Sequence, residues 1–426
     1  MKILVLNSGS SSVKFQVIET DLERIDKAED LTLAVGQVEK IGMSDSRLVI
    51  TVPGRKPYQA YREILEHRAA INWAMNTLSD PEVGVLGDVH EIEAVGHRMV
   101  HGGEAFASSV LITPEVVHEI EQCSVLAPLH NPPNLRGYHA AHHTLPEVPH
   151  VAVFDTPFHQ TMPPHSYLYG IPFQLYKKHA LRKYGFHGTS HRYVSFRASQ
   201  ILGKEMRDLR LITIHLGNGA SVAAIDHGKS IDTSMGFTPL EGLLMGTRTG
   251  DMDPAIVPWL MAMEELTLHQ VNTMMNKHSG LYGISGISSD MREIEEARAA
   301  GNQRADVAFR MFSYRVRKYI GAYAAGMGGA DAVVFTGGIG ENSTEVRRLA
   351  LENMGWMGLD FSEERNLTHE SGEGFISTED SKVKALVVPT NEERTIARDV
   401  IRVLEGVMPT FEPPWVISAL WMLPNA

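Results

Sequence analysis

Three short segments set cationic or imidazole side chains among glycines. They are Gly96-His97-Arg98 with His101-Gly102-Gly103, Tyr184-Gly185-Phe186-His187-Gly188-Thr189-Ser190-His191, and Met245-Gly246-Thr247-Arg248-Thr249-Gly250-Asp251. Glycine beside such a group lets a ligand come close. A phosphoryl group in flight spreads charge over three equatorial oxygens, which several fixed positive donors can meet. Three further segments carry small residues whose amides can approach a phosphate: Asn7 to Ser12 with Lys14, His215 to Ser221, and Thr336 to Asn342. Taken singly each is a weak sign, because a loop arginine is usually solvated and a Gly/Ser turn is usually only a turn. Together they point to phosphoryl chemistry.

Other chemistries lack their residues. Gly337, Gly338 and Gly340 miss the spacing of a dinucleotide fingerprint, and Gly228-Lys229-Ser230 has Ala223 where a Walker loop needs its leading glycine. There is no G-x-S-x-G elbow and no H-E-x-x-H pair, and His139, His142 and His143 read as a solvated helical face. A net charge of -12 leaves no basic excess for nucleic acid or an anionic membrane. One cysteine, Cys123, forms no internal disulfide and fits a reducing compartment. The apolar run Ile3 to Leu6 is too short for a signal peptide, and Trp415 to Leu423 falls short of the roughly 20 residues of a membrane span. The second run reads as a docking tail or an extraneous remnant, and the expectation is a cytoplasmic protein acting on small molecules.

The elements that must hold these groups are legible in outline. At 426 residues and 43% hydrophobic content the chain can fill two cores. Ile3 to Glu19, ILVLNSGSSSVKFQVIE, is echoed by Leu211 to Asp226, LITIHLGNGASVAAID: a β-rich run, a polar turn, a second β-rich run. A duplicated domain with one hairpin in each half, and a cleft between the halves, follows. Val151 to Phe154 and Ala332 to Phe335 read as further strands. Val307, Phe309, Met311, Phe312, Val316, Ile320 and Tyr323 give Ala305 to Ala325 the spacing of a core-facing helix. Strands alternating with helices make an α/β protein with mixed sheets.

NSGSSSVK, VGHRMVHGG, LAPLHNPPN, VAVFDTPFHQTMP, YGFHGTSH, HLGNGAS, FTPLEGLLMGTRTGDMDP, FTGGIGEN and PTNEE, in this order and spacing, resemble the acetate kinase (acetokinase) family over about residues 1–405. The resemblance implies two duplicated actin-like ATPase (ribonuclease H-like) domains with an interdomain nucleotide cleft. The boundaries expected are 1–155 plus 394–407 for the first domain, 156–393 for the second, and an extra tail over 408–426.

The resemblance also implies site residues. Asn7 and Glu392 would position magnesium, with manganese as the alternative. Lys14, Ser10, Ser12 and the loop His215, Leu216, Gly217, Asn218 and Gly219 would contact the phosphates of ATP or ADP. Asp290, Met291 and Arg292, with Gly338, Ile339, Gly340, Glu341 and Asn342, would line the adenosine pocket. Arg98, His187 and Arg248 would flank the transferred group, and Asp155 is the family's acid or base. Val100, Leu129, Phe186 and Pro239 would form the acyl pocket, with ordinary core packing as their other reading. The implied activity is reversible transfer of the ATP γ-phosphoryl group to acetate, giving acetyl phosphate, by a homodimer. Propionate or another short-chain acid is the near alternative, and a nucleotide-gated binding module on the same fold the remote one.

Overall fold

The computed structural model describes residues 1–128 and 130–409; Leu129 and the stretch Trp415 to Leu423 lie outside the described residues. The chain forms two compact units. The first is Met1–Pro157 together with the described chain from Asn391, and the second is Phe158–Thr390.

In the first unit, eight strands form one sheet: β1 (Lys2–Ser8), β2 (Val13–Glu19), β3 (Leu31–Glu39), β4 (Met43–Thr51), β5 (Tyr58–Ile64), β6 (Ala94–Met99), β7 (Val110–Leu111) and β8 (His150–Phe154), in the order 5-4-3-2-1-6-8-7. Strands β1 to β3 pair antiparallel, β1, β6 and β8 parallel, and β7 lies antiparallel on β8. The second unit carries β9 (Arg210–Leu216), β10 (Ala220–Asp226), β11 (Lys229–Thr233), β12 (Ala332–Thr336), β13 (Gly374–Phe375) and β14 (Lys384–Val387), in the order 11-10-9-12-14-13. Its pairing senses are the same: β9 to β11 antiparallel, β9, β12 and β14 parallel, β13 antiparallel on β14. The hairpin echo is therefore part of a larger repeat. Gly228-Lys229-Ser230 belongs to the β10–β11 hairpin, so no strand-to-helix phosphate loop forms there.

The buried run Ile3 to Leu6 shows why β1 is central. Leu4 and Leu6 join a core with Trp73 and Leu78 of the helix His67–Leu78, whereas Ile3 and Val5 join Ile396 and Val400 of the helix Glu392–Leu404. Alternate side chains thus feed two layers, one on each face, and a continuous apolar run results. A buried ion pair ties the second helix down, with Arg398 Nη2 donating to Asp30 Oδ2 at 2.6 Å. In the second unit, Phe309, Phe312, Val316, Ile320 and Tyr323 on the helix Gln303–Met327 are buried as the spacing predicts. Val307 is not: it is 56% exposed, because two residues from Phe309 is about half a turn around the helix. Among the described residues, no helix is long and apolar enough to cross a membrane.

Five buried histidines make the fold sensitive to acid. Burial holds His150 and His159 at about 4, His101 at about 3, and His97 and His191 well below the ordinary 6.5. The unfolded chain therefore binds more protons between about 6.5 and 4, and stability falls as pH falls through that window. Each mismatched histidine contributes about 1.4 kcal/mol per pH unit. The thermal midpoint followed by circular dichroism should drop steeply below about pH 6.5. A midpoint that stays level down to pH 4 would contradict the argument.

Candidate active site

In open α/β sheets, ligands gather outside the carboxyl ends of parallel strands. In the first unit those ends carry Asn7 on β1, Arg98 on β6 and Asp155 just beyond β8. Arg98 Nε and Nη2 donate to Asp155 Oδ1 and Oδ2 at 3.0 and 2.8 Å, a bidentate grip. Nη2 also stands 3.4 Å from Glu392 Oε2. Glu392 reaches this position because its helix lies close on β6. A Cβ at Gly96 would stand 2.6 Å from Ile396 and 2.8 Å from Val400, so any larger residue lifts the helix away. Burial alone would lower the pKa of Arg98, but the Asp155 and Glu392 carboxylates more than offset it and raise it. Burial pushes Asp155 up against the pull of Arg98, and the two-point contact fits its carboxylate form. Asn7 is half-buried and sits opposite the exposed Lys14 in the β1–β2 register. Ser10 is exposed and Ser12 half-buried in the intervening turn. The Asn7 amide and the Glu392 carboxylate are hard oxygen donors, which suits magnesium with its retained waters.

The second unit repeats the arrangement. Beyond β9, Gly217 N–H donates to Gly219 O at 3.0 Å and closes the turn into β10. Beyond β12, the glycine-rich segment is itself a short helix, Gly337–Asn342. A cavity of about 690 Å³ lies between these loops, lined by Gly217, Asn218, Ser289, Asp290, Met291, Arg292, Glu295, Gly338, Ile339, Asn342 and Ser343. Asp290 caps the helix Met291–Ala299 and accepts from Arg292 Nη2 at 2.6 Å. Gly340 and Glu341 do not reach the cavity wall. Glu341 Oε1 instead accepts from Gly337 N–H at 2.9 Å and Thr390 N–H at 3.2 Å, tying the ends of β12 and β14 together.

His187 precedes the helix Gly188–Leu202 with φ at 55°, a left-handed conformation that costs a non-glycine residue roughly 1–3 kcal/mol. Its Nδ1 lies 2.9 Å from Ser221 Oγ, which also meets His191 Nε2 at 2.7 Å. Its ring stacks on His215 with centroids 4.3 Å apart, and His215 Nδ1 is 2.8 Å from Ser190 Oγ. Arg248 is the decisive group. Among the described residues its Nη1 meets only Pro239 O at 3.4 Å and Met245 Sδ at 3.8 Å, and no carboxylate pairs with it. Burial lowers its pKa with nothing to oppose it. A Cβ at Gly219 would stand 3.5 Å from Arg248 Nη1 and 3.6 Å from His187 Nε2, so the guanidinium and the imidazole converge on this loop. A half-buried cation without a counter-charge is costly to hold unless an anion arrives.

Residues 2–398 match the Acetokinase family. The chain belongs to the acetokinase family. It is 52% identical over 408 residues to the acetate kinase of Caldanaerobacter subterraneus subsp. tengcongensis, covering 96% of this chain and 100% of that protein. The crystal structure of Porphyromonas gingivalis acetate kinase superimposes with a TM-score of 0.89 at 49% identity, covering 95% of this chain and 99% of that one. A propionate kinase from Francisella tularensis gives a TM-score of 0.86 at 40% identity, over 93% and 98% of the two chains.

The acyl-pocket residues expected of the acetokinase family fall in different places. Val100 lies in the first unit, its N–H donating to Asn134 Oδ1 at 3.1 Å. Buried Phe186 accepts from His159 Nε2 through its carbonyl at 3.0 Å, and half-buried Pro239 offers its carbonyl to Arg248. Leu129 lies outside the described residues. The residue types gave Ser221, the last residue of the HLGNGAS segment, no role of its own. They also gave none to Arg347, a fully buried arginine whose Nη1 donates to Gly340 O at 3.0 Å and Glu341 O at 2.7 Å, fixing the glycine-rich helix. No motif announces Arg347, since only the folded chain shows that its guanidinium is met by backbone carbonyls and by the Asn366 side-chain oxygen.

Proposed function

We propose that the protein is an acetate kinase, transferring the γ-phosphoryl group of ATP to acetate reversibly and by direct in-line displacement. The observation that carries this reading is Arg248, a partly buried guanidinium with no carboxylate partner among the described residues, converging with His187 on the loop glycine Gly219. In this reading Arg98, His187 and Arg248 stabilise the charge of the moving group. Ser221 fixes the His187 ring by holding Nδ1, and the imidazole so oriented would meet the phosphoryl oxygens. Asn7 and Glu392 would hold magnesium, whose part is to neutralise phosphate charge. Lys14, Ser10, Ser12 and the loop from His215 to Gly219 contact the phosphates. The cavity at Asp290, Met291, Arg292, Gly338, Ile339 and Asn342 takes the adenosine. Acetate is already ionised at neutral pH, so its attack needs no proton removed. Asp155 accordingly acts by aiming Arg98.

Likeness to a propionate kinase favours propionate as the second substrate, because an apolar pocket separates acids differing by one methylene by only roughly 1–3 kcal/mol. The apolar helix Ile256–Met263 has no buried residue, with Trp259 57% and Met263 63% exposed, which supports a homodimer formed through that helix. The test is acyl hydroxamate formation from ATP, magnesium and acetate, propionate or butyrate, on protein whose mass is read by light scattering. Acetate should give the highest rate, from a species of twice the chain mass. Folded protein that yields no acyl phosphate from any of the three acids would remove the reading, and a monomer would remove the homodimer.

A further inference from the structure

The first unit carries a second polar cavity that the phosphoryl-transfer residues do not account for. Its volume is about 650 Å³, and its wall includes His67 and Arg68 from one helix with Arg136, His139 and His143 from another, the helix Asn131–Thr144. The last three stand at i, i+3 and i+7, one face of that helix. His139 and His143 are exposed, as the solvated-face reading expects, and line this concave surface. In a chain of net charge -12, Arg68 and Arg136 pair with no carboxylate among the described residues, and Glu66 is the one acid in the wall. Glu66 stands at the start of the helix His67–Leu78 without capping it through its side chain, so the first N–H groups of that helix have no side-chain cap.

We infer that this cavity binds a small, multiply charged phosphate oxyanion, and that the bound anion weakens ATP binding through the Asn7–Ser12 turn. The chemistry is that of paired guanidinium groups with imidazole donors, which suits tetrahedral oxyanions of charge two or more. The link to the turn is direct. His67 Nε2 donates to the carbonyl of Gly9 at 2.6 Å, and Ser10 itself lines the cavity. A hydroxyl of Ser10 turned toward the cavity anion is lost to the ATP phosphates. The binding step stands on the cavity alone, whereas its effect on ATP rests on the phosphate-loop reading given above.

The test uses the full chain with inorganic pyrophosphate as the probe and orthophosphate as the weaker homologue. Calorimetry is run at low ionic strength with the nucleotide site saturated by a non-hydrolysable ATP analogue. Pyrophosphate should bind with one equivalent per chain, more tightly than orthophosphate, and Arg68→Gln with Arg136→Gln should weaken it at least tenfold. In kinetics at fixed free magnesium, pyrophosphate should raise the KM for ATP roughly fivefold, the size of one net hydrogen bond, without changing kcat. The double variant should show normal kinetics without pyrophosphate and no response to it. Unchanged affinity in a folded double variant, or no binding beside the nucleotide analogue, overturns the site. Binding lost in the variant with no change of KM in the parent overturns the link to ATP. Failure to make any acyl phosphate would instead strike the proposed activity and leave the calorimetric result standing.

Discussion

Arg248→Ala should lower turnover by about 100-fold or more, the loss expected of a preorganised charge donor, while leaving the fold as stable as before or more so. The two halves of this expectation have one cause. Burial lowers the pKa of Arg248, its Nη1 meets a carbonyl at 3.4 Å and a thioether at 3.8 Å, and no carboxylate among the described residues answers its charge. Holding such a group costs folding free energy that an arriving phosphate repays. Its removal therefore relieves the free protein and harms the loaded one. Arg248→Lys keeps the charge without the planar fork and should recover only part of the rate, since a point charge cannot meet two phosphoryl oxygens in fixed geometry. Steady-state kinetics and thermal melts on the same preparations decide the matter. Turnover near that of the parent, or a loss of activity matched by a loss of stability, would show that Arg248 is a packing residue.

How much of this was legible before folding depends on sequence distance. The hairpin echo was readable because both strands and their turn lie within about 17 residues, and the register bears out the two hairpins residue by residue. The wider repeat was not, because β1 pairs with β6 and β9 with β12 across long connections whose lengths differ. The glycine-framed segments announced Arg98, His187 and Arg248 as residue types suited to phosphate. They did not announce which would be paired. Arg98 meets Asp155 from 57 residues away and Glu392 from much farther, whereas Arg248 meets no carboxylate at all among the described residues. That contrast, which separates an aimed cation from a waiting one, is a property of the fold. The Thr336 to Asn342 stretch teaches the same lesson at short range. Its glycines leave its local form open in the sequence; it forms a helical turn because Glu341 reaches back to the Gly337 amide and Arg347 meets the carbonyls at its far end. Val307 failed for the opposite reason, since a periodic stripe was drawn one position too wide.

The role of Asp155 can be separated from that of an acid or base by Asp155→Asn. An asparagine keeps the shape but offers the guanidinium one carbonyl oxygen and one N–H₂ group, so one of the two contacts at 3.0 and 2.8 Å becomes donor against donor. Arg98 is then left with Glu392, 3.4 Å away, as its nearest counter-charge. Breaking a buried pair from one side typically costs about 3–5 kcal/mol, and the nearby Glu392 should hold the loss toward the lower end. Turnover should fall by about 100-fold because Arg98 swings from its aimed position. With Glu392 holding magnesium as proposed, a guanidinium drawn to it would compete for that carboxylate, so the magnesium concentration giving half-maximal rate should rise. The pH profile decides between the roles. An aiming residue leaves the pH limbs of kcat where they were, scaled down together, because acetate brings no proton to be moved. If a limb present in the parent disappears in the variant while the magnesium requirement stays fixed, Asp155 carries a proton, and Arg98 takes its position from Glu392 instead.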